Sequence, residues 1–141
     1  MRAIAFPLLS AIALAGCAAT PEEMARSDAA DARQMARIEK KLAGYVPGEP
    51  QSCVNQSLLR SSDQYGQTIL YQQGTSTYYR NDTSPGCRLG QDDILVTQTP
   101  TGQLCRGDIV RTVDRTAGFM TGSCSLGEFV PYRRASRSGA N

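Results

Sequence analysis

The sequence predicts a mainly β fold: a small antiparallel β-meander or barrel-like domain with two disulfides, preceded by an N-terminal spacer helix. Three observations carry this. Beyond Gln51, short strand-forming runs alternate with turn residues at fairly even spacing, the pattern of an antiparallel meander that curls or closes. Gly, Ser, Thr and Gln are abundant and tryptophan is absent, a composition that suits strands and turns better than helices. Four cysteines, Cys53, Cys87, Cys105 and Cys124, lie within the same stretch.

The first element is a short export signal. Arg2 gives a basic start, Ala3 to Leu14 is an apolar run broken only by Pro7 and Ser10, and small residues follow. The run is too short to span a bilayer, which needs roughly 20 apolar residues. Leu14-Ala15-Gly16-Cys17 resembles the lipobox of bacterial lipoproteins. That resemblance implies cleavage before Cys17 and lipid on its sulfur, and two or more acyl chains hold a protein stably where one does not. The same resemblance implies that Ala18, where an aspartate would mean retention at the inner membrane, directs the protein to the outer membrane, lipid-anchored and facing the periplasm, with surface display left open. The expected organisation is residues 1–16 as signal peptide, 17–50 as lipidated N-terminus with a helical spacer and linker, 51–134 as the β domain, and 135–141 as a disordered tail.

Thr20-Pro21-Glu22-Glu23 starts a helix, with Thr20 as cap, Pro21 at the first helical position and Glu23 completing a capping box. Good helix formers without interior Gly or Pro continue it to about Ala43. Its apolar stripe is weak, which favours a solvated spacer; the sharper alternative docks its C-terminal half through Ile38, Leu42 and Tyr45. Gly44, Pro47, Gly48 and Pro50 then end the helix. Strands are expected at Cys53 to Leu59, Thr68 to Gln72, Ser76 to Asn81, Ile94 to Thr99, Ile109 to Asp114, and Phe119 to Tyr132 with a break at Ser125 to Gly127. Turns at Tyr65-Gly66, Gln73-Gly74, Ser84-Pro85-Gly86, Thr99 to Gly102 and Ala117-Gly118 separate them.

An even cysteine count in a small exported domain reads as two disulfides. Of the three pairings, Cys87 with Cys105 across a hairpin and Cys53 with Cys124 between first and last strands is favoured. A zinc site lacks any C-x-x-C pair and would sit in an oxidising compartment, so no metal or cofactor is expected.

Histidine is absent, which removes every Ser-His or Cys-His nucleophile and the commonest general base. Both lysines, Lys40 and Lys41, fall in the predicted helix. A pair drawn from Asp92, Asp93, Asp108, Asp114 and Glu128 could serve a carboxylate hydrolase; the competing reading makes these turn acids or partners of Arg88, Arg106, Arg111 and Arg115. Arg106-Gly107-Asp108 spells an integrin tripeptide, and Asn55-Gln56-Ser57 and Asn81-Asp82-Thr83 fit a glycosylation triplet; turn and strand geometry accounts for them better. Tyr71, Tyr79 and Arg80 form a candidate binding patch for a protein or glycan, although alternation sends Tyr78 and Tyr79 to opposite faces and at least one into the core. With 15 basic and 13 acidic residues the chain is near neutral, and no clustered basic face points to nucleic acid.

Cys105 to Val110, Thr112-Val113-Asp114 and Gly122 to Tyr132, with Tyr79-Arg80-Asn81 and Cys87, resemble small proteobacterial lipoproteins grouped as a domain of unknown function. The resemblance covers about residues 50 to 134 and implies no activity, cofactor or catalytic residue. The expected function is therefore a non-enzymatic binding or envelope-structural module, held at the membrane through its lipid, with an envelope protein or a glycan as partner. The first alternative is a periplasmic inhibitor laid out like the small β-barrel lipoproteins that block lysozyme, and the second is a carboxylate-dependent hydrolase.

Overall fold

The structure is a computed structural model and describes residues 20–85, 87, 89–90 and 92–135. Cys17, Arg88 and the expected tail beyond Ala135 lie outside the described residues. Helix α1 spans Pro21–Lys41, and its capping box forms as the sequence predicts: Glu23 N–H donates to Thr20 Oγ1 at 3.3 Å and Thr20 N–H to Glu23 Oε2 at 2.8 Å. That second bond holds the Glu23 carboxyl below its ordinary range. Ten strands follow among the described residues: β1 (Tyr45–Pro47), β2 (Cys53–Asn55), β3 (Leu59–Tyr65), β4 (Thr68–Gln73), β5 (Thr77–Asp82), β6 (Asp93–Thr97), β7 (Gln103–Cys105), β8 (Ile109–Asp114), β9 (Met120–Ser125) and β10 (Phe129–Arg134). A single 3-10 turn, Gln56–Leu58, separates β2 from β3.

All pairings are antiparallel, as expected, and they form three sheets: β1-β10-β5-β4-β3, β2-β7 and β6-β8-β9. The main core lies between the inner face of the five-stranded sheet and the two smaller sheets. Ile69, Tyr71, Tyr79 and Phe129 come from the first; Val54, Leu104, Val110 and Cys124 come from the others, with Cys87, Leu89 and Leu126 from connecting segments. Alternation along β4 and β5 sends Leu70 and Tyr78 to the opposite face, where Ile38 of α1 and Leu42, the residue that caps its C-terminus, cover them. Tyr45, Tyr65 and Tyr132 surround this second cluster.

The helix is therefore docked and not a free spacer. Ile38 is 1% exposed, and burying a side chain of that size contributes about 1.5–3 kcal/mol. That outweighs the weakness of the stripe, because two apolar residues one turn apart are enough when the sheet presents a matching pair. Lys41 adds an ion pair to Asp63 at 3.0 Å, which raises the lysine pKa, and lies over the Tyr78 ring at 5.7 Å. The folded unit also begins ahead of Gln51, since β1 pairs with β10 inside the expected linker.

The favoured disulfide pairing is wrong in this fold: the bridges are Cys53–Cys105 and Cys87–Cys124. The reason is strand order. Strand β7 pairs with β2, which makes Cys53 and Cys105 direct register partners, whereas no hairpin joins Cys87 to Cys105 because β6 intervenes and pairs with β8. Cys87–Cys124 ties the segment after β5 to β9. With separations of 52 and 37 residues, each bridge contributes about 4 kcal/mol by the chain-entropy account.

Asn81 completes the closure on that side. Fully buried, it donates Nδ2 to Gly127 O at 2.9 Å and accepts from Gly127 N–H at 3.0 Å, fixing β5 to the turn before β10. Gly127 packs against the Asp82 carbonyl so closely that no Cβ fits.

Candidate functional site

The predicted patch does not form. Tyr71 and Tyr79 are register partners on the inner face and are 5% and 8% exposed, while Arg80 projects to the other face and is pinned by both Asp82 carboxylate oxygens at 3.1 Å. Both faces of the sheet are covered, one by α1 and one by the smaller sheets, so Tyr78 is buried as well. Tyr79 spends its hydroxyl on Gln73 Oε1 at 2.9 Å.

Tyr71 is different. Its hydroxyl is buried and has no hydrogen-bond partner, and burial pushes the phenol pKa far above its usual value. Its side chain lines a cleft of about 250 Å³ together with Leu59, Ser62, Leu95, Thr97 and Leu104. A second cleft of about 530 Å³ continues along the same line, bounded by Asp63, Gln64, Tyr65, Asp93, Leu95 and Arg115. Ser62 and Leu95 border both. The two clefts thus form one seam, mixed in character at the Leu59 end, where Gln56, Arg60 and Ser61 also border it, and charged at the Tyr65 end.

The seam exists because the sheets stop there. Strand β3 ends the five-stranded sheet and β6 ends the three-stranded one, and no ladder joins them among the described residues. Side chains bridge the gap instead: Gln64 Nε2 donates to Asp93 O at 2.8 Å, and Gln56 Nε2 donates to Thr97 Oγ1 at 3.2 Å. Because a carbonyl can be met only by the amide nitrogen, Gln64 turns its Oε1 inward, where it is buried and unpartnered. Gln64 Oε1 and Tyr71 Oη are the two buried side-chain polar atoms without partners among the described residues, and both belong to the seam. Leaving such a group unmet costs about 1–3 kcal/mol.

Comparison with protein-family models, with curated proteins and with solved structures finds no match to this chain.

Most of the predicted acids take the local roles that turn chemistry assigns. Asp108 Oδ2 accepts from Cys105 N–H at 2.7 Å, Asp114 Oδ1 accepts from the amides of Thr116 and Ala117, and Glu128 pairs with Arg106 at 3.0 Å. The Arg106-Gly107-Asp108 tripeptide is part of this turn, with Gly107 at φ 90°. Asp92 and Asp93 do meet Asp63 around the charged end of the seam, where Asp93 accepts from Thr121 at 2.9 Å and Asp63 is taken by Lys41. Among the described residues no group of three or more His, Cys, Asp or Glu side chains is placed to hold a metal ion. None of the helices among them is long and apolar enough to cross a membrane.

Sequence reasoning missed Gln64, Leu95, Leu59 and Leu104 as site residues. Leu95 had a legible signal, since it sits between Ile94 and Val96, which face outward and are exposed, so alternation sends it inward. For Gln64 there was none, because Arg60-Ser61-Ser62-Asp63-Gln64 reads as polar loop until β4 is found beside it.

Proposed function

We propose that this protein is a lipid-anchored binding module of the bacterial envelope, acylated at Cys17, held at the periplasmic face of the outer membrane, and engaging its ligand in the β3–β6 seam. The anchor rests on Leu14-Ala15-Gly16-Cys17, and the exported compartment on that tetrapeptide together with two disulfides. The observation that carries the binding site is the seam itself, with two buried polar groups that the protein leaves without partners. Binding sites are concave and hold a few placed polar groups, and the seam joins a largely polar cleft to one of mixed lining. An inhibitor of an envelope enzyme is one form such a module takes. A carboxylate hydrolase is less well supported, because Asp63 and Asp93 already have partners in Lys41 and Thr121.

Two measurements test the reading. Replacing Cys17 by Ser should abolish incorporation of labelled palmitate, and continued labelling would defeat the anchor. Affinity capture from solubilised envelopes should retain a partner on the wild-type protein and lose it on Ser62→Arg, which fills the seam from an exposed position. The same partner held equally by both proteins would remove the seam as the site.

A further inference from the structure

The backbone of the two edges identifies the kind of ligand. Tyr65-Gly66-Gln67-Thr68 is a two-residue hairpin with Gly66 at φ 62° and Gln67 outside the positive-φ region, the geometry in which the flanking pair exchanges hydrogen bonds. Tyr65 therefore bonds Thr68, and by alternation Asp63 bonds Leu70, so Ser62 and Gln64 turn their N–H and C=O groups away from β4 and into the seam.

The opposite wall behaves the same way. Asp114 N–H donates to Phe119 O at 3.0 Å, so Asp114 faces β9, and alternation along β8 turns Val113 and Arg111 toward β6. Their register partners Ile94 and Val96 face back, which leaves the backbone groups of Leu95 and Thr97 and the Asp93 carbonyl directed into the seam, while Asp93 N–H donates to Gly90 O at 3.3 Å. The Gln64 bond to Asp93 O agrees with this assignment. Strand β3 and β6 run in opposite directions, since Gln64 meets Asp93 at one end while Leu59 and Thr97 line the cleft at the other.

Two strand edges thus present rows of backbone donors and acceptors to the same opening. Such a row is a template for another strand, and proteins ordinarily cover it. Here it stays open over Ser62 and Leu95, between the Gln64 and Gln56 bridges, beside a cleft to which Leu59, Leu95, Leu104 and the Tyr71 ring contribute apolar surface.

We propose that the seam receives an extended peptide of a partner protein, added as a short strand antiparallel to β3, with one apolar side chain seated among Leu59, Leu95, Leu104 and the Tyr71 ring. This rests on the reading of the seam as the binding site and names its ligand class. Main-chain bonds to Ser62 and Gln64 supply affinity, and the cleft supplies specificity through alternate side chains. Its volume of about 250 Å³ suits one large apolar residue. A glycan, by contrast, would have little use for the outward row of backbone groups.

Panning a random linear peptide library displayed on phage against the intact anchored protein tests this, followed by amide exchange with a selected synthetic peptide. Bound peptide should slow exchange at Ser62 and Gln64 at least tenfold. Ser62→Pro deletes an N–H that faces the seam on an edge strand, where proline is tolerated. It should weaken the peptide at least tenfold, while Ser62→Ala binds as wild type. Peptides that bind Ser62→Pro normally, or that leave both amides unprotected, would overturn strand addition. Should Ser62→Pro not fold, the exchange measurement on the wild-type protein decides alone. An envelope partner captured in a Ser62-dependent way, with no peptide selected, would overturn the peptide while leaving the seam as the site.

Discussion

The two sides of this domain are closed by different means. Where β5 and β10 approach β9, the junction is sealed by the Cys87–Cys124 bridge, by the buried Asn81 amide clamped on the Gly127 backbone, and by a glycine with no space beside it. Where β3 approaches β6, two glutamine side chains reach across among the described residues, and two buried polar atoms there have no partner among them. The first side has its polar groups matched and its chain cross-linked, so it holds the sheets at a fixed separation. The second is left with unmet hydrogen-bonding capacity on a rigid frame, which is the condition for a ligand to contribute more than solvent does. A small domain with a modest core can keep one seam open because the opposite seam is covalent.

The largest losses of stability are expected at the sealed side. Replacing Cys87 and Cys124 together by alanine should lower the free energy of unfolding by about 4 kcal/mol, read from denaturant midpoints, and a loss under 1 kcal/mol would mean that the sheets do not depend on this bridge. Next, Asn81→Ala should cost about 3 kcal/mol by stranding the Gly127 backbone groups, and Gly127→Ala should cost a similar amount because its Cβ meets the Asp82 carbonyl. If either substitution is silent in thermal unfolding, the clamp has been misjudged.

Changes at the open side should be small or favourable for stability. Tyr71→Phe deletes an unpartnered hydroxyl and should leave the protein unchanged or about 1 kcal/mol more stable. The substitution also has a pH signature. Burial raises the folded-state pKa of Tyr71 above the ordinary 10.0, so the neutral phenol's contribution is fully present below pH 10 and is lost as pH climbs from there toward the raised value. Stability measured from pH 8 to 11 should therefore fall less in Tyr71→Phe than in wild type, with the remaining fall carried by Lys41 and Tyr65, whose pKa values are also raised. Parallel curves would show that the hydroxyl is not isolated. The smallest effect belongs to Gln64→Ala, expected within about 0.5 kcal/mol of wild type, because one hydrogen bond and one unmet acceptor disappear together.

Much of the fold could be read in the chain because it is local. Thr20 and Glu23 cap the helix through their own neighbours, and Gly66 and Gly74 take the positive φ that tight turns require. Strands β4, β5 and β8 follow runs of strand-forming residues closely. By contrast, β1, β3 and β7 are short or polar and are strands only because β10, β4 and β2 lie beside them. The candidate site was less legible still. The sequence offers Tyr71 as part of a binding patch with Tyr79 and Arg80; it lines a cleft in which neither of the other two has a part.

By itself, the sequence determined what depends on near neighbours and on composition: a capped helix, antiparallel β structure, turn positions and an even set of domain cysteines. Tertiary structure alone decided which cysteines meet, that both faces of the main sheet are buried, and that two strand edges face one another unpaired. The reason is that pairing, burial and an open edge are properties of residues far apart in the chain, and local preference is the same whether a strand finds its neighbour or not.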